Sequence, residues 1–153
     1  MKSIYLGLLF INLLFVSPLD AEIVIKDPFA VTSTPHSKSG AIFMMIHNHS
    51  DNADRLLSAK TPFSKITELH SSEMENDIMK MVRVLEGFEV PSHGHLALKH
   101  GGKHVMMMGL QRKLEQNSKF QLFLEFENAG QIEVQVVFQG SGGNKKMDHS
   151  HDH

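Results

Sequence analysis

The chain has 153 residues, 41% hydrophobic and 21% charged, a balance that fits one globular domain and excludes wholesale disorder. With 15 Lys+Arg against 17 Asp+Glu the formal net charge is -2, and no long basic stretch supplies the electrostatic footprint of a nucleic-acid binder. Cysteine is absent, which excludes disulfides, thiolate zinc sites, iron–sulfur clusters and cysteine nucleophiles; what stands out instead is 11 His and 10 Met.

Met1-Lys2-Ser3 is a short positive segment, and Ile4 to Val16 is a nearly unbroken apolar run, too short to span a bilayer comfortably. Small residues follow, with Ala21 the expected last residue before cleavage, so residues 1–21 read as a secretory signal peptide. The competing reading of the same run is a retained N-terminal anchor. On the first reading the mature protein starts near Glu22 as an exported, periplasmic domain with no further segment apolar enough to cross a membrane.

The mature chain consists of short apolar runs separated by Gly, Pro, Asn and Asp, with little helical periodicity. In chain order the predicted strands are residues 23–26, 41–47, 55–60, 64–70, 78–85, 88–90, 95–99, 103–108, 120–126 and 132–138. The last two form the clearest pair. Phe120, Leu122, Leu124 and Phe126 alternate with mainly polar residues, and Asn128-Ala129-Gly130 turns the chain into Ile132, Val134, Val136 and Phe138. Residues 113–116 could form one helical turn. The pattern predicts an all-β antiparallel sandwich or barrel, two sheets on a shared apolar core, over residues 22–139. After Phe138 the composition shifts: Gly140 to Gly143 is glycine-rich, and Met147, His149, His151 and His153 close the chain. Residues 140–153 read as a disordered Met/His-rich tail.

Chemistry therefore rests on His and Met. His70 ends the fourth predicted strand, Met81 follows eleven residues later in Met79-Lys80-Met81, and His104-Val105-Met106 comes next. Side chains alternate along a strand, so His104 and Met106 share a face with Cα atoms roughly 6.7 Å apart. Thioether sulfur is a soft neutral donor suited to Cu(I), and imidazole suits copper as well. Two His and two Met add no ligand charge, which favours the monovalent ion. The bland readings are real: Met fills cores, so Met44, Met45 and part of Met106-Met107-Met108 are expected inside. His93, His95 and His100 fall in turn-like sequence and read as surface. His47 and His49 flank Asn48 at a strand end and are weaker metal candidates, and Asn48-His49-Ser50 also matches a glycosylation sequon.

The order His70, ten residues, Met81, about twenty residues, then His104-Val105-Met106 resembles the signature of the periplasmic copper chaperones called PCuAC, which are linked to metallating the CuA centre of cytochrome c oxidase. Glu68-Leu69-His70 and Ile78-Met79-Lys80-Met81 are similar to the family's first half. Val90-Pro91, Gly101-Gly102-Lys103-His104-Val105-Met106, Gly109-Leu110 and Phe126 to Gly130 are similar to its second half. The likeness covers residues 23–138. This chain has 22 residues between Met81 and His104 where the family usually has 21, with the extra residue assigned to 82–88, so Met79 is an alternative ligand. Phe29 stands where the family often has Trp, and His100 where a Pro commonly precedes the glycine pair.

The resemblance implies a cupredoxin-like β-sandwich that binds Cu(I) through His70, Met81, His104 and Met106. It implies transfer by ligand exchange to an acceptor protein, a cytochrome c oxidase subunit or another copper chaperone. Met147, His149, His151 and His153 are secondary candidates for Cu(II). An enzyme is not expected, since there is no His-Glu-x-x-His, nucleophile elbow or blue-copper cysteine. The competing functions are copper sequestration, zinc binding, or a structural β-sandwich with an incidental His tail.

Overall fold

A computed structural model of the protein describes residues 22–142. All ten expected strands are present: β1 (Ile23–Thr32), β2 (Ser39–Asn48), β3 (Asp54–Lys60), β4 (Ser64–Glu75), β5 (Ile78–Arg83), β6 (Phe88–Val90), β7 (His95–Leu98), β8 (His104–Leu110), β9 (Lys119–Phe126) and β10 (Gly130–Ser141). Residues 1–21 and 143–153, and with them the expected signal peptide and the tail ligands Met147, His149, His151 and His153, lie outside the described residues.

The strands follow one hydrogen-bonded path, β5-β4-β8-β2-β1-β10-β9-β3-β6, with β7 also beside β2. The two layers of the sandwich are therefore halves of one folded-over sheet, joined where β1 meets β10 in a parallel pair; the other pairs are antiparallel. Contacts between β3 and β4, and between β6 and β7, close the layers over the core. In β9 the alternation seen in the sequence is realised: Phe120, Leu122, Leu124 and Phe126 are buried while Lys119, Gln121 and Glu125 are exposed. They meet Ile42, Ile46, Leu56, Val90, Val105, Met107 and Val136, all fully buried. Each such side chain contributes about 1.5–3 kcal/mol of transfer free energy, and their continuity across both layers makes a rigid platform for the outer faces.

Polar anchors fix the loops at one end. Asp54, buried, accepts from the backbone N–H groups of Asn128 and Ala129 at 2.9 Å each and so clamps the β9–β10 turn. Asn48 donates to the carbonyls of Asn52 and Val90 and accepts from the Ser50 N–H. It is 1% exposed, so the sequon asparagine is a structural residue in the interior.

Four local expectations are corrected. Strand β4 does not stop at His70 but runs to Glu75, because Asn76 and Asp77, both at positive φ, make a two-residue turn that pairs Glu75 directly with Ile78. His70 is thus a mid-strand residue. Strand β1 continues past Lys26 to Thr32 through a bulge, where Asp27 takes φ 50° and Pro28 offers no ladder N–H. Residues 113–116 form no helical turn; Leu114 is buried there as an irregular plug, and the Asn117 N–H donates to the Phe138 carbonyl. Finally β10 extends through Gly140 and Ser141, into the segment expected to be tail, and the Gly142 N–H donates to the Thr32 carbonyl.

Candidate metal site

Strands β4, β5 and β8 lie side by side, and their registers decide which side chains share a surface. His70 pairs directly with His104 and Glu68 with Met106 across β4–β8; His70 pairs with Arg83, Ser72 with Met81 and Met74 with Met79 across β4–β5. Paired residues project to the same face and alternate residues do so along a strand. His70, His104, Met106, Met81, Met79, Met74, Glu68 and Arg83 therefore occupy one outer face, while Leu69, Val105 and Met107 turn inward to the core.

The two histidines form the centre of this face. Their ring centroids are 5.9 Å apart at an interplanar angle of 63°. His104 is 3% exposed, covered in part by Phe43, whose ring lies 6.2 Å away. Its Nδ1–H donates to the Gly102 carbonyl at 2.9 Å, which fixes the tautomer and leaves Nε2 a bare lone pair. On the facing ring, His70 Nε2 lies 3.0 Å from Glu68 Oε2; donating there leaves Nδ1 as the free nitrogen. The Arg83 guanidinium donates to Glu68 Oε1 at 3.1 Å and holds that carboxylate in place.

Both free nitrogens, His70 Nδ1 and His104 Nε2, are buried without a hydrogen-bond partner among the described residues. A buried polar atom left unpaired costs about 1–3 kcal/mol, and here two of them lie on facing rings. The His104 pKa is lowered, chiefly by desolvation, against the opposing hydrogen bond to the Gly102 carbonyl and with smaller lowering contributions from the His70 and His100 rings. The shift favours the neutral ring.

The methionines flank the pair unequally. Met106 is half-buried, level with Glu68. Met81 is 54% exposed and sits diagonally from His70 on the β5 arm, about 7–8 Å away by strand geometry. Met79, also 54% exposed, is a further two residues along. On a flat sheet the Met81 and Met106 Cα atoms would be roughly 16 Å apart. The histidines are assembled in this structure; the two thioethers meet only if the β4–β5 arm curls over them.

The other sequence expectations divide. Met44 and Met107 are core, but Met45 and Met108 are half-buried on the outer face. His93, His95 and His100 are exposed, as expected of surface residues. Sequence reasoning quoted Glu68 and Gly102 only as motif letters and missed their roles as partners of the His70 and His104 rings. The signal was present for Glu68, which stands two residues before His70 and hence on its face.

Residues 23–138 match the family described as "Putative lipoprotein LpqE-like". Over 109 residues the chain is 28% identical to "Putative lipoprotein Lxx21020" of Leifsonia xyli subsp. xyli; the match covers 69% of this chain and 66%, just under two thirds, of the relative's length. Among solved structures, the copper-bound PCuAC domain from PmoF2 superimposes with a TM-score of 0.66 at 18% identity, covering 78% of this chain and 93% of that one. Apo-DR1885 from Deinococcus radiodurans gives 0.62 at 20% identity over 92% and 95%. Its Cu(I) form gives 0.56 at 28% over 75% and 78%. The resemblance drawn from the His and Met spacing thus holds in three dimensions: the fold is that of a PCuAC domain.

Proposed function

The chain belongs to the LpqE-like lipoprotein family, and we propose that it is an exported copper chaperone holding Cu(I) through His70, Met81, His104 and Met106. The observation that carries this reading is the facing pair of bare, buried imidazole nitrogens, His70 Nδ1 and His104 Nε2. No group among the described residues uses these lone pairs, and a two-imidazole, two-thioether set is neutral, soft and suited to Cu(I). The copper-bound state of two structural neighbours supports the same choice of cargo. Lipoproteins as relatives support export and association with the cell envelope.

The function is carriage, not turnover. The histidine pair supplies a pre-formed half site, with Glu68 and Gly102 holding each ring in its coordinating tautomer. Met81, on an exposed arm, is the ligand free to arrive last and leave first, so an acceptor donor can replace it without disturbing the buried rings. The acceptor is a copper-accepting protein, the CuA-bearing subunit of cytochrome c oxidase or another chaperone. The tail residues Met147, His149, His151 and His153 add a separate Cu(II) site, imidazole nitrogen suiting the divalent ion.

Titration of the chain from Glu22 under reducing conditions, against a competing Cu(I) chelator and against Zn(II), tests the proposal. One Cu(I) per chain, retained over excess Zn(II), is the expected result. Failure to compete with even a weak Cu(I) chelator removes the chaperone reading, and preference for Zn(II) replaces it with zinc handling.

A further inference from the structure

A second group of histidines lies on the same outer surface, away from His70 and His104. His47 on β2 pairs directly with His95 on β7, and the ring centroids are 6.0 Å apart. Two residues on, just past the end of β2, the ring of His49 lies 6.2 Å from that of His47 and nearly parallel to it, at 7°. The His49 N–H donates to the Glu22 carbonyl at 2.7 Å, which ties this residue to the start of β1. Three imidazoles are thus brought to one end of the sheet by one ladder and one backbone tether.

We propose that His47, His49 and His95 form a second metal site, which takes a divalent d-block cation of the Zn(II) or Cu(II) type. The hydrogen bonds of histidine rings among the described residues go to His70, His93 and His104, so the nitrogens of these three are uncommitted. Two imidazoles on one tetrahedral ion, with metal–nitrogen bonds of about 2.0–2.1 Å, have ring centroids roughly 5 Å apart. The observed 6.0 and 6.2 Å are within about an ångström of that spacing. As the side chains stand, no three His, Asp or Glu groups among the described residues are placed to hold a metal ion, so the proposal requires rotation of side chains to close the site. His49 and His95 are exposed and His47 half-buried, which leaves the rings room to turn.

Lys26, paired with Met45 on the neighbouring strand, disfavours any cation at this place. Nitrogen donors without thiolate or carboxylate suit Zn(II) and Cu(II). Along β2, His47 lies four residues, roughly 13 Å, from Phe43, which covers His104. One face of the sheet would then carry a divalent site beside the Cu(I) site, each with its own donor chemistry.

The test is a Zn(II) titration of the chain from Glu22 carrying His149→Asn, His151→Asn and His153→Asn, so that the tail does not compete. The ring NMR signals of each histidine are followed, and His47→Asn and His95→Asn are compared with His36→Asn as control. The expected result is that the His47, His49 and His95 signals move together in the first equivalents. His47→Asn and His95→Asn should each raise the half-saturation concentration at least about tenfold, and His36→Asn should leave it unchanged. Ring signals that stay still, or a half-saturation unaltered by His47→Asn, overturn the proposal. Cu(I) binding at His70 and His104 is a separate readout, so failure here leaves the chaperone reading intact.

Discussion

His70 and His104 are directly paired across the β4–β8 ladder, and each ring has one nitrogen engaged and the other bare. The engaged atoms differ, Nε2 in His70 and Nδ1 in His104, so the free lone pairs are Nδ1 and Nε2 respectively. Replacing either residue with Asn should lower Cu(I) affinity at least about tenfold, while His93→Asn, whose ring is committed to Asp51, should leave it unchanged. Competition with a Cu(I) chelator measures this, and equal losses in all three variants would mean that the facing pair has no special part in binding.

Glu68 is predicted to matter although it touches no metal. Its carboxylate accepts from His70 and is braced by Arg83. Removing it in Glu68→Ala frees the His70 ring to change tautomer, and partners of this kind typically carry 10- to 100-fold in metal affinity, so about tenfold is expected at the least. Nitrogen-15 shifts of the His70 ring should show the tautomer mixture directly in the apo protein. Glu68→Gln, which keeps an acceptor oxygen, should recover part of the loss; a wild-type affinity in Glu68→Ala would remove the positioning role.

The lowered His104 pKa gives a signed stability prediction. Between the folded-state value and the ordinary value of about 6.5, the unfolded chain binds a proton that the folded chain does not. The stabilisation is therefore fully present above pH 6.5 and is lost as pH falls through the folded value. His47, lowered for related reasons, contributes with the same sign. Urea unfolding of the apo chain between pH 5 and 8 should show stability falling with acid below about 6.5, with a shallower fall in His104→Gln. An identical slope in that variant would show that His104 is protonated as readily folded as unfolded.

Asp54 is the strongest test of the fold apart from the site. One carboxylate holds two N–H groups of the β9–β10 turn and is itself buried. Asp54→Ala should cost about 3 kcal/mol, since it leaves two donors of a buried turn without an acceptor. Chemical denaturation measures this; a loss below about 1 kcal/mol would mean that water replaces the carboxylate.

The ten strands were legible because their apolar runs are short, alternating and separated by turn residues; β9 and β10 could be paired from Asn128-Ala129-Gly130 alone. The end of β4 was not legible. Residues 71–77 are polar apart from Met74, and Asn76-Asp77 lacks the glycine that usually marks a two-residue hairpin turn, so the apolar pattern ends the strand at His70. That omission hid the face shared by His70, Met74, Met79 and Met81. Sequence spacing brought His70 and His104 forward as candidates, but their opposition across one ladder rung depends on register between strands more than thirty residues apart. The parallel β1–β10 join that makes one sheet of both layers was likewise invisible, since no local signal specifies a partner so distant.

Met79 and Met81 provide the final prediction, because the extra residue between Met81 and His104 leaves either one open as the sulfur ligand. Both lie on the histidine face of β5 and are equally exposed, so alternation and accessibility do not separate them. Distance along the strand does: Met81 is one diagonal step from His70, and Met79 is a second step away, opposite Met74 near the hairpin tip. A thioether reaches across one such diagonal of about 7–8 Å, but two steps exceed it unless the arm slips. Met81→Leu should therefore weaken Cu(I) binding and reduce the sulfur count in X-ray absorption from two to one. Met79→Leu and Met74→Leu should change neither. All three substitutions are close in volume and on exposed side chains, so the fold should tolerate them. Loss of a sulfur in Met79→Leu with none in Met81→Leu would show that the β4–β5 hairpin shifts by two residues when copper binds, retaining the His70, His104 and Met106 donors but exchanging the other thioether.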